Sequence, residues 1–226
     1  MSVFVKITNR LVFSARAGRL CLWWGGAVLA IGTFARITRE LIEGEFNAFD
    51  NGILLRAAKI RTSSLTSAAI HVTALGSSAL VILLSGFALL ALLAMRDRRG
   101  AFQLLLASAG AGILTLVTKN MIERVRPADV NQLIVVSGFS YPSGHSVSTS
   151  ALYLTIAIIG CRYVQRASAR ATMVLAAIVV SVLVAASRVY LGVHYATDVL
   201  SGLSLGVAWA LLLTGFFTLY AHRRDG

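Results

Sequence analysis

The chain has 226 residues, 57% of them hydrophobic and 13% charged, with a mean hydropathy of +0.78. Apolar runs of about 20 residues recur along it, which excludes an ordinary soluble domain and points to the bilayer. The net charge of +12 does not mark a nucleic-acid partner, because no basic stripe interleaves with aromatic residues.

Residues 1–19 are basic and free of acids. They read as a cytoplasmic segment lying in the interface before an uncleaved first span, in preference to a transit peptide. Six spans are predicted, at about 18–37, 67–95, 101–120, 146–164, 171–189 and 198–220. The longest piece outside them is 38–66. There Phe46, Phe49, Ile53, Ala57 and Ile60 recur at helical spacing, with Glu43, Asp50 and Lys59 among the polar positions. This suits an amphipathic helix in the outer interface, a connecting helix in preference to a lid. His71 falls inside the second span and reads as a satisfied intramembrane polar group; His222 reads as a solvated tail residue. The third span is rich in small residues from Ala107 to Gly112, which allow helices to approach closely.

The hydrophilic ends divide by charge. The segments before span one, between two and three, between four and five, and after six hold twelve Lys/Arg and two acids; the remainder holds nine Lys/Arg and seven acids. This asymmetry predicts both termini in the cytoplasm and the loops after spans one, three and five on the periplasmic or extracellular side of a plasma or inner membrane. Cys21 and Cys161 fall near predicted cytoplasmic ends, where neither a disulfide nor a metal spacing is expected. The expected architecture is all-α: one integral membrane domain over 1–226, six helices in one bundle, with its motif core at 119–198.

Three polar clusters interrupt the apolar pattern: KNMIERVRP at 119–127, FSYPSGHS at 139–146 and SRVYLGVHYATD at 187–198. In this topology all three emerge on the same outer face, and charged groups gathered at one membrane level suggest a site. Lys119, Arg126 and Arg188 supply three cations that match phosphate oxygens. Ser143, Gly144 and the amides of the helix start that follows Pro142 form an anion cradle at the positive end of a helix dipole. His194 and Asp198 are four apart, so on a helix they share a face, and a carboxylate on one imidazole nitrogen leaves the other as a nucleophile. His145 then fits as the acid for a leaving oxygen. No carboxylate cluster presents itself for Mg²⁺, so neither metal nor cofactor is expected. Each feature also has a plainer reading: snorkelling cations, a helix cap, a structural hydrogen bond.

As a set these residues resemble the type 2 phosphatidic acid phosphatase superfamily, integral membrane lipid phosphate phosphatases. That pattern is Lys, six residues, Arg-Pro; Pro-Ser-Gly-His; then Ser-Arg, five residues, His, three residues, Asp. The chain carries it as Lys119 with Arg126-Pro127, Pro142-Ser143-Gly144-His145, and Ser187-Arg188 with His194 and Asp198. The resemblance implies a metal-independent hydrolase acting on a membrane lipid phosphate or diphosphate. His194 would form a phosphohistidine, Asp198 orient it and His145 protonate the leaving group, while Lys119, Arg126, Ser143, Gly144 and Arg188 hold the phosphoryl oxygens. Undecaprenyl diphosphate, phosphatidic acid, phosphatidylglycerol phosphate and lipid A phosphates are the candidate substrates. A phosphotransferase with the same intermediate is the alternative enzyme. A binder or transporter is the non-enzymatic one, though no internal repeat supports it. No sequence feature specifies an oligomeric state.

Overall fold

The computed structural model describes the backbone over residues 2–224 and side chains over 18–220. Lys6, Arg10, Arg16, His222, Arg223 and Arg224 are therefore outside the described side chains, and Asp225 is outside the described residues altogether. All regular structure among the described residues is helical: α1 (Ser2–Ile42), α2 (Asn47–Lys59), α3 (Ser63–Ala74), α4 (Ser78–Ala94), α5 (Arg98–Ile122), α6 (Gly144–Gly160), α7 (Ala167–Tyr190) and α8 (Ala196–Arg224). Four segments are long and apolar enough to cross a membrane alone: Gly18–Ile42, Arg98–Ile122, Ala167–Tyr190 and Ala196–Tyr220. The protein is a multi-pass membrane protein.

The second predicted span is not one helix. α3 and α4 meet at 45° around residues 75–77. Gly76 is a poor helix former, and Ser77 starts the next helix by accepting from Leu80 N at 3.3 Å. The periodicity of 67–95 is apolar on both sides of this elbow, so hydropathy alone ran through it. His71, expected to be satisfied inside that span, is exposed on α3.

α6 has 17 residues, about 26 Å of helix, and packs against α4, α5, α7 and α8. Its seam with α8 depends on two glycines of a G-x-x-x-G spacing. A Cβ at Gly202 would stand 2.8 Å from Ser143 O and 2.9 Å from Ser146 Cβ, and one at Gly206 would collide with the α6 backbone and Ser150. Small residues here let backbones touch, and close packing replaces the hydrophobic drive that lipid removes. On α5, Ala107 and Ala111 are buried against neighbouring helices, as the small-residue run implied. α1 lies along α8.

The segment 38–66 is divided among the end of α1, α2 and the start of α3. Ile53 and Ala57 of α2 pack on Ala185, Val189 and Val199 of α7 and α8. Asp50, a polar position in the sequence pattern, is 0% exposed, for reasons that belong to the site.

Candidate active site

Four helix ends build the site: the C-termini of α5 and α7 and the N-termini of α6 and α8. α5 stops at Glu123, whose left-handed φ of 49° ends the helix while its amide still reaches Lys119 O. The chain then runs without regular structure through Arg124 and Arg126. Pro127 disfavours helix for the residue before it, so these two arginines point their forks back toward the bundle. α7 ends at the turn 190–192, where Gly192 takes φ 78°, a conformation glycine adopts without steric cost.

Lys119 donates from Nζ to the carbonyls of Phe139 and, at 3.4 Å, Ser140. This fastens the FSYPSGHS loop over the end of α5. Arg126 spends Nε on Gly138 O (2.9 Å), Nη2 on Ser137 O (3.0 Å) and Nη1 on Val193 O (2.8 Å), and Nη1 also lies 3.2 Å from His194 Nε2. One arginine thus ties the loops before α6 and α8 together beside the imidazole. Tyr141 anchors the loop to α1 through a 2.7 Å hydrogen bond with Thr38.

His194 and Asp198 do meet, but not on one helical face. His194 precedes α8, and Asp198 sits in that helix's first turn. His194 Nδ1 lies 3.4 Å from Asp198 Oδ2, longer than an ordinary N–H···O bond. Ser140 Oγ stands between them, donating to Asp198 Oδ2 at 2.5 Å and lying 3.3 Å from His194 Nδ1. Asp198 Oδ2 also accepts from Tyr195 N at 2.9 Å, one half of a capping box in which the third helical residue reaches back to the cap amide. One oxygen of the carboxylate, Oδ2, is thereby tied to the start of its own helix.

His194 is 2% exposed. Burial, opposed by Asp198 and reinforced by the charges of Arg126 and Arg188, pushes its imidazole down to about 4. It is neutral over the physiological range, with Nε2 on the side of the cations.

The helix start of α6 differs from its expected form in one respect. Ser143 N is not open to a ligand, because it donates to Asp198 O at 2.9 Å and so ties α6 to α8. The first helical bond inside α6 runs from Val147 N to Ser143 O, leaving the amides of Gly144, His145 and Ser146 as the open first turn. A Cβ at Gly144 would stand 3.2 Å from Thr115 Cγ2 of α5. Ser143 Oγ is buried and unpaired, and so is Arg188 Nε, while Arg188 Nη1 donates to Thr73 Oγ1 at 2.9 Å. Buried donors without partners are rare in folded proteins.

His145 joins the group by packing rather than by a hydrogen bond. A Cβ on Gly76 would stand 3.0 Å from its Cδ2, so the elbow between α3 and α4 is the seat of this ring. The same α3 end supplies Thr73 to Arg188. Sequence reasoning missed Thr73, Gly76, Ser140, Arg124 and Asp50. Gly76-Ser77 was a legible breaker signal inside a greasy run. Arg124 stood two residues before Arg126, the spacing that shares a face in extended chain. Among the described residues, no group of three or more His, Cys, Asp or Glu is placed to hold a metal ion.

The PAP2 superfamily model matches residues 100–220. Phosphatidylglycerophosphatase B of Bacillus subtilis is 38% identical over 168 residues, 74% of this chain and 82% of that protein. An undecaprenyl-diphosphatase of Sulfolobus acidocaldarius is 31% identical over 130 residues, 55% of this chain and 58% of that protein. Among solved structures, the transmembrane PAP2-type phosphatidylglycerolphosphate phosphatase from Bacillus subtilis superposes with a TM-score of 0.79 at 32% identity, covering 84% of this chain and 94% of that one. The clustered cations, the His–Asp pair and the Pro-Ser-Gly-His helix start thus stand in a membrane phosphatase fold, and the chain belongs to the PAP2 superfamily.

Proposed function

We propose that the protein hydrolyses a lipid phosphate or diphosphate without a metal, through a phosphohistidine on His194, at the outer face of the membrane. The observation that carries this reading is the pair of buried, unpaired donors, Ser143 Oγ and Arg188 Nε, beside a neutral buried imidazole. An anion with several acceptor oxygens answers both donors at once, and phosphate is such an anion.

The Nε2 lone pair of His194 attacks phosphorus, and the bond from phosphorus to the leaving oxygen breaks. Burial and the charges of Arg188, Arg126 and Lys119 push His145 down to about 3 in the ligand-free protein. It takes up a proton only beside the negative phosphate; it gives that proton to the leaving oxygen and becomes neutral. Water then attacks the phosphorus, His145 takes its proton, the N–P bond breaks, and phosphate leaves with His194 free again. Lys119, Arg126, Arg188, Ser143 and the first-turn amides of α6 offset the charge on the equatorial oxygens, which is most of what phosphoryl transfer requires. Asp198 and Ser140 hold Nδ1 so that Nε2 faces phosphorus.

The six-crossing layout takes α3–α4 as one broken span and α6 as a short one, with α2 as a connector. The four helix ends of the site then share one membrane level, opposite the basic loops, and the charge asymmetry of those loops supports an outer site. A phosphate at that level belongs to a lipid headgroup. Phosphatidylglycerol phosphate, phosphatidic acid, undecaprenyl diphosphate and lipid A phosphate are the substrates to compare.

Protein purified in detergent is expected to release phosphate from at least one of these lipids in the presence of EDTA. Absence of release from all four, under conditions where the protein is folded, contradicts the reading. Protonation of His194 removes its lone pair, so the acid limb of kcat/KM is expected where pH drops through about 4. An acid limb at or above an ordinary histidine value of about 6.5 contradicts a buried, neutral nucleophile.

A further inference from the structure

Asp198 is wholly buried, and one of its oxygens is held by a residue outside the motif. Arg124 Nη1 donates to Asp198 Oδ1 at 2.7 Å and to Thr197 Oγ1 at 2.8 Å, while Nη2 donates to Asp50 Oδ2 at 2.7 Å. The guanidinium also lies 4.0 Å over the ring of Tyr195. Asp50 in turn accepts from Thr197 N at 2.9 Å and from Thr197 Oγ1 at 2.5 Å. It thus caps the start of α8 from α2, across the bundle. Both carboxylates are 0% exposed and the arginine side chain 13%.

We propose that Arg124, seated on Asp50 of α2, is the positioning residue that holds Asp198 in register with Ser140 and His194. Asp198 has two oxygens: Oδ2 faces Ser140, Tyr195 N and His194, and Oδ1 is set by Arg124 alone among side chains. With Oδ1 free, the carboxylate turns about its Cβ–Cγ bond, and Oδ2 leaves the His194 line. A fork bound at both ends fixes that rotation. Asp50 holds the other end, so the docking of α2 is mechanically joined to the orientation of the imidazole. A second carboxylate at that end also divides the cation's field, so the fork holds Asp198 without discharging it fully.

The charged and titratable groups facing this pair come from every surrounding element. Lys119, Arg124 and Arg126 lie at and after the end of α5. His145 begins α6, Arg188 ends α7, and Asp50 stands on α2. Tyr195 precedes α8. Removing Arg124 leaves the full charge of Asp198 to act on His194, which favours the imidazolium.

The inference rests on the proposed phosphatase reading, and the experiment separates the two. Wild type, Arg124→Gln, Arg124→Lys, Asp50→Asn and the Asp50→Asn/Arg124→Gln double variant are purified in detergent. Phosphate release from dioctanoyl phosphatidic acid and from undecaprenyl diphosphate is followed across pH. Arg124→Gln is expected to lower kcat by about 10- to 100-fold, as misplacement of a catalytic group does, with KM nearly unchanged and the acid limb of kcat/KM moved to higher pH. Arg124→Lys keeps the charge but not the fork, so kcat falls while the limb stays. It carries the test if Arg124→Gln does not fold. Asp50→Asn is expected to lower kcat less, and the double variant no further than Arg124→Gln, because Asp50 acts through Arg124. A salt bridge with only a structural part lowers the melting temperature and the active fraction but leaves the pH profile in place. Full kcat in both Arg124 variants overturns the inference. So does an unmoved acid limb in Arg124→Gln, or additive losses in the double variant. Silence of the wild type on these two lipids and also on phosphatidylglycerol phosphate and lipid A phosphate contradicts the phosphatase reading instead.

Discussion

Replacing His194 with alanine is expected to reduce phosphate release by about 10⁴-fold or more, the scale on which removal of a nucleophile acts in a covalent mechanism. The expectation follows from position. His194 is 2% exposed, neutral, held at Nδ1 by Ser140 and Asp198, and turned at Nε2 toward Arg126. Alanine at this site removes the contacts of both ring nitrogens and leaves a small cavity, so the fold persists at some loss of stability. The helical signal and melting temperature of the variant are therefore measured alongside its rate. A folded His194→Ala protein that retains activity within about tenfold of wild type removes the nucleophile from the account.

The second large effect is expected at Arg188. This residue is 3% exposed, hydrogen-bonded to Thr73 through Nη1, and unpaired at Nε. A buried cation with an unsatisfied donor destabilises a ligand-free protein unless an anion arrives. Arg188→Met, of similar length, is expected to lower kcat/KM by about 10²- to 10³-fold, the loss seen when one donor to a developing charge is removed. Its melting temperature without ligand is expected to equal or exceed that of wild type. Orthovanadate or phosphate is expected to raise the wild-type melting temperature by mass action and to leave that of Arg188→Met in place. A variant that loses stability yet keeps kcat/KM, or that responds to the anion as wild type does, assigns Arg188 to the fold.

Much of this arrangement was legible in the chain because the physics behind it is local or compositional. Apolar runs have to be long to cross a bilayer, so α1, α5, α7 and α8 stand out as spans. Polar residues at span ends are costly without a purpose, so Lys119, His145, Arg188 and Asp198 stand out as a set. What escaped is non-local. The elbow at Gly76 is a packing decision: its flat surface receives the His145 ring, and nothing in the periodicity of α3 and α4 anticipates that. His194 and Asp198 were read as helical neighbours because their spacing is four. The helix begins between them, since the Asp198 side chain caps its own first turn. Asp50 read only as a polar position of an amphipathic helix because its partners, Arg124 and Thr197, lie 74 and 147 residues away in the chain. Arg124 was not singled out. It is a fork between two buried carboxylates, visible only once α2 has docked.

This architecture also explains why the stretch 137–146 carries so many polar groups. Its carbonyls at 139 and 140 satisfy Lys119 and those at 137 and 138 satisfy Arg126, its Ser140 hydroxyl bridges the dyad, and its Tyr141 reaches α1. Cations that would repel one another near a membrane are instead held by backbone oxygens of the loop they organise. On the proposed reading, an incoming phosphate would meet donors already aimed, a preorganisation that supports charge stabilisation.

The central claim is that phosphorus passes through His194, and the most direct measurement is to catch it there. Wild type and His194→Ala, both in EDTA, are mixed with a lipid carrying radiolabelled terminal phosphate and quenched in alkali before steady state. The account predicts an acid-labile, base-stable label on the wild-type peptide that contains His194, and none on His194→Ala. Label on a different residue, or equal label on His194→Ala, contradicts it.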